Sequence, residues 1–202
     1  MSSFRQLMMN SAKAPKLNAE IVGSPTISDD FIVSNFSSNN YLKTKEQFPV
    51  VNFGAEHIIE FNSKVYPTLI SPYDDHNIMH SYPAGNLKFA VNRGKRFQIM
   101  QLGIGEIFTN SNTCSVNTWY WVKATFQYFA DGSAKMSLCN STDGTTWINL
   151  VEKTRNNPTA IIPNNIFRIG ISEGNGEYFV GKIDMKETNV MIDNQYWWKG
   201  VI

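Results

Sequence analysis

The chain has 202 residues, of which 42% are hydrophobic, 13% aromatic and only 17% charged, and this balance excludes a largely disordered protein. Its length suits one domain with a tail, able to bury a substantial core. Eighteen Lys and Arg stand against seventeen Asp and Glu for a formal charge of +1, with no basic window able to neutralise a row of phosphates, so nucleic acid is not the expected partner.

From Met1 to about Pro25 the sequence has neither helical nor strand periodicity, and Pro15 and Pro25 interrupt it. Residues 1–25 read as an N-terminal attachment arm. Phe4, Arg5, Leu7, Met8 and Met9 give it a patch suited to docking on a partner, with a frayed terminus as the alternative. The apolar run stops after Met9, short of a signal-peptide core, and no segment approaches the roughly 20 apolar residues of a membrane span. The expectation is a chain made in a cytoplasm and inserted in no membrane.

Residues 26–202 read as one all-β domain. The expected strands are Phe31–Phe36, Tyr41–Lys45, His57–Phe61, Leu87–Val91, Phe97–Leu102, Trp119–Phe129, Ala134–Asn140, Thr146–Val151, Phe167–Ser172, Tyr178–Met185 and Asn189–Asp193, each bounded by Gly, Pro, Asn or Asp. No amphipathic helix alternates with them, so a two-sheet sandwich or jelly roll is favoured over a βαβ arrangement.

Between the third and fourth of these lies Ser71-Pro72-Tyr73-Asp74-Asp75-His76-Asn77-Ile78-Met79-His80, the one cluster with metal-like side chains. Pro72, Asn77 and Pro83 favour an irregular loop over a helix, and no Glu completes a zincin motif. Asp74, Asp75, His76 and His80 are then solvated loop residues, and Tyr73, Asp74 and His76 are candidates for a recognition tip. No metal or other cofactor is expected, and the three histidines, at 57, 76 and 80, form no suggestive catalytic order.

Side-chain parity sets the register of two consecutive hairpins. Tyr120, Val122, Ala124, Phe126 and Tyr128 oppose Ala134, Met136 and Leu138 when the loop is Ala130-Asp131-Gly132, with Gly132 in the left-handed position of a bulged turn. The same device, with Thr142-Asp143-Gly144 as its loop, pairs Leu138 with Ile148 and Met136 with Leu150. Ser141-Thr142-Asp143-Gly144-Thr145-Thr146-Trp147 is one residue short of the Asp box of sialidase-like propellers and occurs once, so it reads as a turn. Trp119, Trp121 and Trp147 then share the outward face with Lys123 and form a candidate platform for a glycan or a protein partner, unless a neighbouring element covers them. Cys114 and Cys139 have no C-x-x-C pairing and read as unrelated free thiols.

The run from Trp119 to Phe126, then Asp131-Gly132-Ser133, Ser141–Trp147, Phe167–Ser172, Phe179–Met185 and Ile192–Gly200 resembles the concanavalin A-like, laminin-G-like jelly-roll domains of lectins and bacteriophage virion proteins. The resemblance spans roughly Asp30 to Gly200. It implies an antiparallel two-sheet jelly roll, displayed on a virion through the arm as a non-enzymatic decoration or fibre protein. Its implied partners are other virion proteins, a host-surface glycan and further copies of the chain in a homo-oligomer. A free carbohydrate-binding lectin is the alternative, and a jelly-roll glycan hydrolase a third reading. The latter's family places Glu-x-Asp-x-Glu on one strand, and the nearest stretch, Lys182-Ile183-Asp184-Met185-Lys186-Glu187, lacks that spacing.

Overall fold

The structure of the protein, a computed structural model, describes residues 15–49, 56–71, 73–82, 87–101, 104–156, 165–171 and 177–202. The arm residues Phe4, Arg5, Leu7, Met8 and Met9 lie outside them. The strands are β1 (Glu20–Val22), β2 (Thr26–Ile27), β3 (Ile32–Ser34), β4 (Tyr41–Lys43), β5 (His57–Pro67), β6 (His76–Tyr82), β7 (Leu87–Asn92) and β8 (Arg96–Gln101). They continue with β9 (Gly105–Phe108), β10 (Tyr120–Tyr128), β11 (Ser133–Ser141), β12 (Ile148–Asn156), β13 (Ile166–Ile169), β14 (Gly181–Ile192) and β15 (Gln195–Lys199). Two antiparallel sheets form a sandwich, as the strand pattern implies: one is ordered β1-β4-β13-β6-β7-β8-β9, the other β12-β11-β10-β5-β14-β3-β2, with β15 pairing β14.

Aromatic rings bridge the layers. Phe61 on β5 meets Phe126 on β10 edge-on at 5.8 Å and reaches Phe167 on β13, in the opposite sheet, at 5.4 Å. Phe48 joins them, 5.5 Å from Phe167 and 5.1 Å from Trp197. All four phenylalanines are buried, and edge-to-face contact of this kind adds to the gain from removing their area from water.

The first predicted hairpin is observed. Tyr128 opposes Ala134, Phe126 opposes Met136 and Ala124 opposes Leu138. Gly132 has φ 80°, and the N–H of Phe129 reaches the Ser133 carbonyl at 3.0 Å across the turn. The second hairpin differs. Its loop is six residues, Thr142–Trp147, and the pairs are Asn140 with Ile148 and Leu138 with Val151. A bulge at Asn149, φ 57°, shifts the register and turns Val151 to the core. Ile148 and Leu150, expected inward, are therefore exposed, Leu150 by 63%.

Two further expectations are corrected. The stretch from His76 to Tyr82, read as an irregular loop, is strand β6, sandwiched between β7 and β13. Buried residues occupy both of its faces, so the usual alternation is missing. The separate strands expected at Tyr178–Met185 and Asn189–Asp193 are largely one, β14, bent at a bulge between Asp184 and Asn189. The bulge has its own bonds: Thr188 donates its hydroxyl to the Asp184 carbonyl at 2.8 Å, and Asp184 accepts the Lys186 N–H at 3.0 Å.

The chain between Lys16 and Val22 joins both sheets. Lys16 and Ile202 exchange backbone hydrogen bonds at 2.8 and 2.9 Å, Asn18 donates to the Gly200 carbonyl at 2.8 Å, and the Trp198 indole donates to the Asn18 carbonyl at 2.8 Å. Two residues on, β1 begins and pairs with β4 in the other sheet. Part of the segment that the sequence places in the arm is thus a clasp on the sandwich.

Candidate functional site

The outward face of the larger sheet is built from alternate residues of β5, β10 and β14. Pairing sets Trp121 opposite Lys64 and Lys123 opposite Asn62 on β5, which in turn oppose Asp184 and Asn189 on β14. Aromatic rings and ammonium groups interleave along these rows. Lys64 lies 4.4 Å from the Trp121 ring centre and 5.2 Å from that of Trp119; Lys182 lies 5.4 Å from Tyr66, which packs on Trp119 at 5.2 Å. Lys123 completes the set at 5.0 Å from the Trp147 ring. Each contact is attraction between a cation and the negative face of a π-system. Carboxylates hold the ammonium groups from the other side, Asp184 on Lys64 at 3.4 Å and Glu60 on Lys123 at 3.3 Å.

The loop after β11 delivers Trp147 to this face. Asp143 accepts the N–H groups of Thr145 and Thr146, both at 2.7 Å, and the Ser141 hydroxyl at 2.8 Å. Those bonds, the one from Thr146 first, hold its carboxyl well below the usual carboxylate range. Ser141 Oγ in turn accepts the N–H of Gly144 at 2.9 Å. Gly144 has φ 78°, a left-handed backbone that favours glycine, and a Cβ on it would crowd the Trp121 ring at 3.1 Å, so glycine suits the loop where it passes that indole. A self-bonded loop of this kind displaces the tight three-residue turn expected there.

The three tryptophans consequently differ. Trp119 and Trp121 are half-buried, clasped by Lys64, Tyr66 and the loop, whereas Trp147 is 39% exposed. Beside it Trp121, Lys123, Asn62, Asn189, Glu187 and Tyr196 line a groove of about 250 Å³. Tyr196, 53% exposed, has the Lys199 ammonium 3.7 Å from its ring, and Asn62 donates to Asn189 at 3.1 Å. Of this set the sequence singled out Trp119, Trp121, Trp147 and Lys123. Lys64, Tyr66 and Asn62 were findable by running the alternation of β5 on to Pro67, while Glu187 and Tyr196 arrive through the β14 bulge and the β14–β15 hairpin, which carry no comparable pattern.

The other candidates lie on the smaller sheet. Tyr73 is 83% exposed at the rim of its outward face, and Asp74 accepts the Ser71 hydroxyl at 3.4 Å. His76 is not a solvated tip residue. It is buried, accepts the Ser71 N–H on Nε2 at 2.7 Å and donates from Nδ1 to the Tyr178 carbonyl at 3.1 Å, an arrangement that positions the chain. His80, also expected in solvent, is buried, and desolvation with the nearby Lys88 charge lowers its pKa from 6.5 to about 4. Among the described residues no group of three or more His, Cys, Asp or Glu is placed to hold a metal ion. Cys114 is free and buried, which pushes its thiol up to about 12; Cys139 is free and half-buried.

No protein-family model matches the chain, and no curated protein matches it in sequence. Solved structures do match in shape. The binding domain of botulinum neurotoxin serotype D superposes with a TM-score of 0.54 at 12% identity, over 89% of this chain and 44% of that one. The likeness is one of fold. A botulinum neurotoxin type C structure, described as showing cell entry dependent upon interaction with two ganglioside molecules, gives 0.49 at 12% identity over 89% and 44%. An alginate lyase from Aplysia kurodai gives 0.45 at 7% identity over 85% and 86%. The chain spans less than half the length of the neurotoxin structures that it matches. A jelly-roll sandwich is common to this chain and the serotype D domain, while sequence identity this low carries no residue-level correspondence.

Proposed function

We propose that the protein is a non-enzymatic, lectin-like sandwich that binds a glycan in the groove beside Trp147. The observation that carries this reading is an exposed indole, pinned on one side by Lys123 and bordered by the amides of Asn62 and Asn189, the Glu187 carboxylate and the Tyr196 ring. A sugar presents both an apolar C–H face and a rim of hydroxyls. An aromatic shelf beside a few fixed donors and acceptors matches both, and the shelf is already immobilised before a ligand arrives. The serotype D neighbour is itself described as a binding domain, which supports recognition as a use of this fold. A binding role also suits the carboxyls. The described ones whose titration is displaced, Asp131, Asp143 and Asp193, all move downward, away from the raised pKa that a general acid requires, and Asp184 is tied to Lys64.

A glycan array probed with the full chain tests the reading. Wild-type protein binds at least one glycan, and Trp147→Ala, an exposed position, weakens it by about tenfold or more while the melting temperature stays the same. Equal binding by the variant, or none by the wild type, refutes the assignment.

The setting implied by the sequence resemblance, display on a virion, rests on the apolar residues Phe4, Leu7, Met8 and Met9 ahead of the clasp at Lys16. In that setting the arm docks on a capsid or tail protein, copies of the chain associate, and the groove of Trp147 faces the host surface. Mass spectrometry of purified particles from infected culture decides it by whether the chain copurifies at stoichiometric level.

A further inference from the structure

The outward face of the smaller sheet holds a second groove, of about 510 Å³, the right size for a short oligosaccharide. Cross-strand pairing brings Arg168, His80, Lys88, Met100 and Glu106 into one row across β13, β6, β7, β8 and β9, with Gln98 opposite Phe108 in the next. Two of the acidic groups here are already satisfied. Lys88 binds Asp75 at 2.7 Å and Glu177 at 3.4 Å; Asn92 donates to Asp75 at 2.8 Å and Asn77 to Glu177 at 3.1 Å. Glu106 accepts from the Gln98 amide at 3.0 Å.

The arginines are not matched in the same way. Among the described residues neither Arg93 nor Arg96 has a carboxylate partner, and the Arg96 guanidinium carbon lies over Phe108, 4.0 Å from the ring centre. Arg96 Nε is buried without a hydrogen-bond partner. So is Nδ1 of His80, a residue only 7% exposed that lines the groove from its floor. A buried polar atom left unpaired costs free energy, and two in one groove mark a place where a ligand supplies the missing partners.

From this arrangement we infer that the groove is a second binding site, independent of Trp147 and on the opposite sheet, for a saccharide bearing a carboxylate. The planar guanidinium of Arg96 takes the carboxylate, and Arg93 at the exposed end adds a second positive charge. His80 completes the floor through Nδ1, bonding a ring hydroxyl. The ring of Tyr73 at the rim offers apolar surface to the sugar, and Phe108 supports Arg96 from beneath. Lys88, held by two carboxylates, fixes the floor and leaves the anion to the arginines.

Calorimetric titration of the full chain with a mannuronate trisaccharide, sialyllactose, and their neutral counterparts, the carboxyl-reduced trisaccharide and lactose, tests the inference. At least one acidic sugar binds, and its neutral counterpart binds at least about tenfold more weakly, as loss of a charge-assisted hydrogen bond requires. Arg96→Gln and the exposed Arg93→Gln each weaken the acidic sugar, whereas Trp147→Ala leaves its affinity unchanged. Arg93→Gln keeps the test valid if Arg96→Gln perturbs folding. The inference is overturned if no acidic sugar binds at millimolar concentration, if lactose or the reduced trisaccharide binds as well as its acidic form, or if inorganic phosphate competes with equal affinity. It is also overturned if Trp147→Ala abolishes the acidic-sugar signal, an outcome that would leave the Trp147 site standing.

Discussion

The two outward faces of the sandwich solve the same problem in opposite ways. On the larger sheet Lys64 and Lys123 each lie between a tryptophan ring and a carboxylate, and the exposed apolar side chains include Trp147 and Tyr196 at the groove and Ile148 and Leu150 on β12. On the smaller sheet the rings are few and the polar groups incomplete, with Arg96 Nε and His80 Nδ1 buried and unpaired. On the reading proposed above, the first face would recognise through shape and an exposed ring, and the second through the polar groups that it leaves unpaired.

That contrast assumes two faces on one rigid body, and the clasp at residues 16–22 is what ties the layers at their N-terminal end. Deleting residues 1–25 removes the two Lys16–Ile202 bonds, the Asn18–Gly200 bond and the Trp198–Asn18 bond together with the pairing of β1 to β4, for a loss of at least about 4 kcal/mol, counting about 1 kcal/mol for each of the four bonds alone. Deleting residues 1–14 retains all four. Chemical denaturation of the two truncations separates them, and equal stability would show that the clasp contributes nothing.

Acid should act on the smaller sheet first. Folding favours the neutral His80 ring, so the unfolded chain binds the extra proton as pH falls from 6.5 to about 4, and stability drops through that window by up to about 3 kcal/mol. Lys88 and Arg168 add to the depression and Glu177 opposes it. In His80→Gln the drop disappears, as urea midpoints at pH 7 and pH 4.5 would show; the same acid sensitivity in the variant would place its origin elsewhere.

The corrected register of β12 makes a sharper and smaller test. Val151→Asp buries a charge against the core and costs about 2 kcal/mol, whereas Leu150→Asp, on the exposed side, stays within about 0.5 kcal/mol. The register read from sequence predicts the reverse order, so one pair of melting curves distinguishes the two.

Why one hairpin was legible and its neighbour was not is a matter of what alternates. From Val122 to Gln127 on β10 and from Ser133 to Leu138 on β11 apolar and polar side chains alternate, and the Gly132 corner allows one register. Along β12, Ile148 and Leu150 mimic a core face while the bonds of Asp143 and the left-handed Asn149 set the true one. Strand β6 hid for a different reason: His76, Asn77, His80 and Ser81 look solvated in sequence but are buried. Partners of His76 and Asn77 include Tyr178 and Glu177, 102 and 100 residues away. The tryptophan face followed from parity alone. The arginine groove did not, because a missing partner has no sequence signature.

The account's central claim is that a sugar lies on Trp147. The five tryptophans supply five indole N–H signals in a 15N correlation spectrum, assignable by single Trp→Phe variants. Saturation with the best glycan from the array should shift the Trp147 signal most, Trp121 less, and leave the buried Trp198 where it was. A glycan that binds tightly yet leaves the Trp147 signal unmoved contradicts the account.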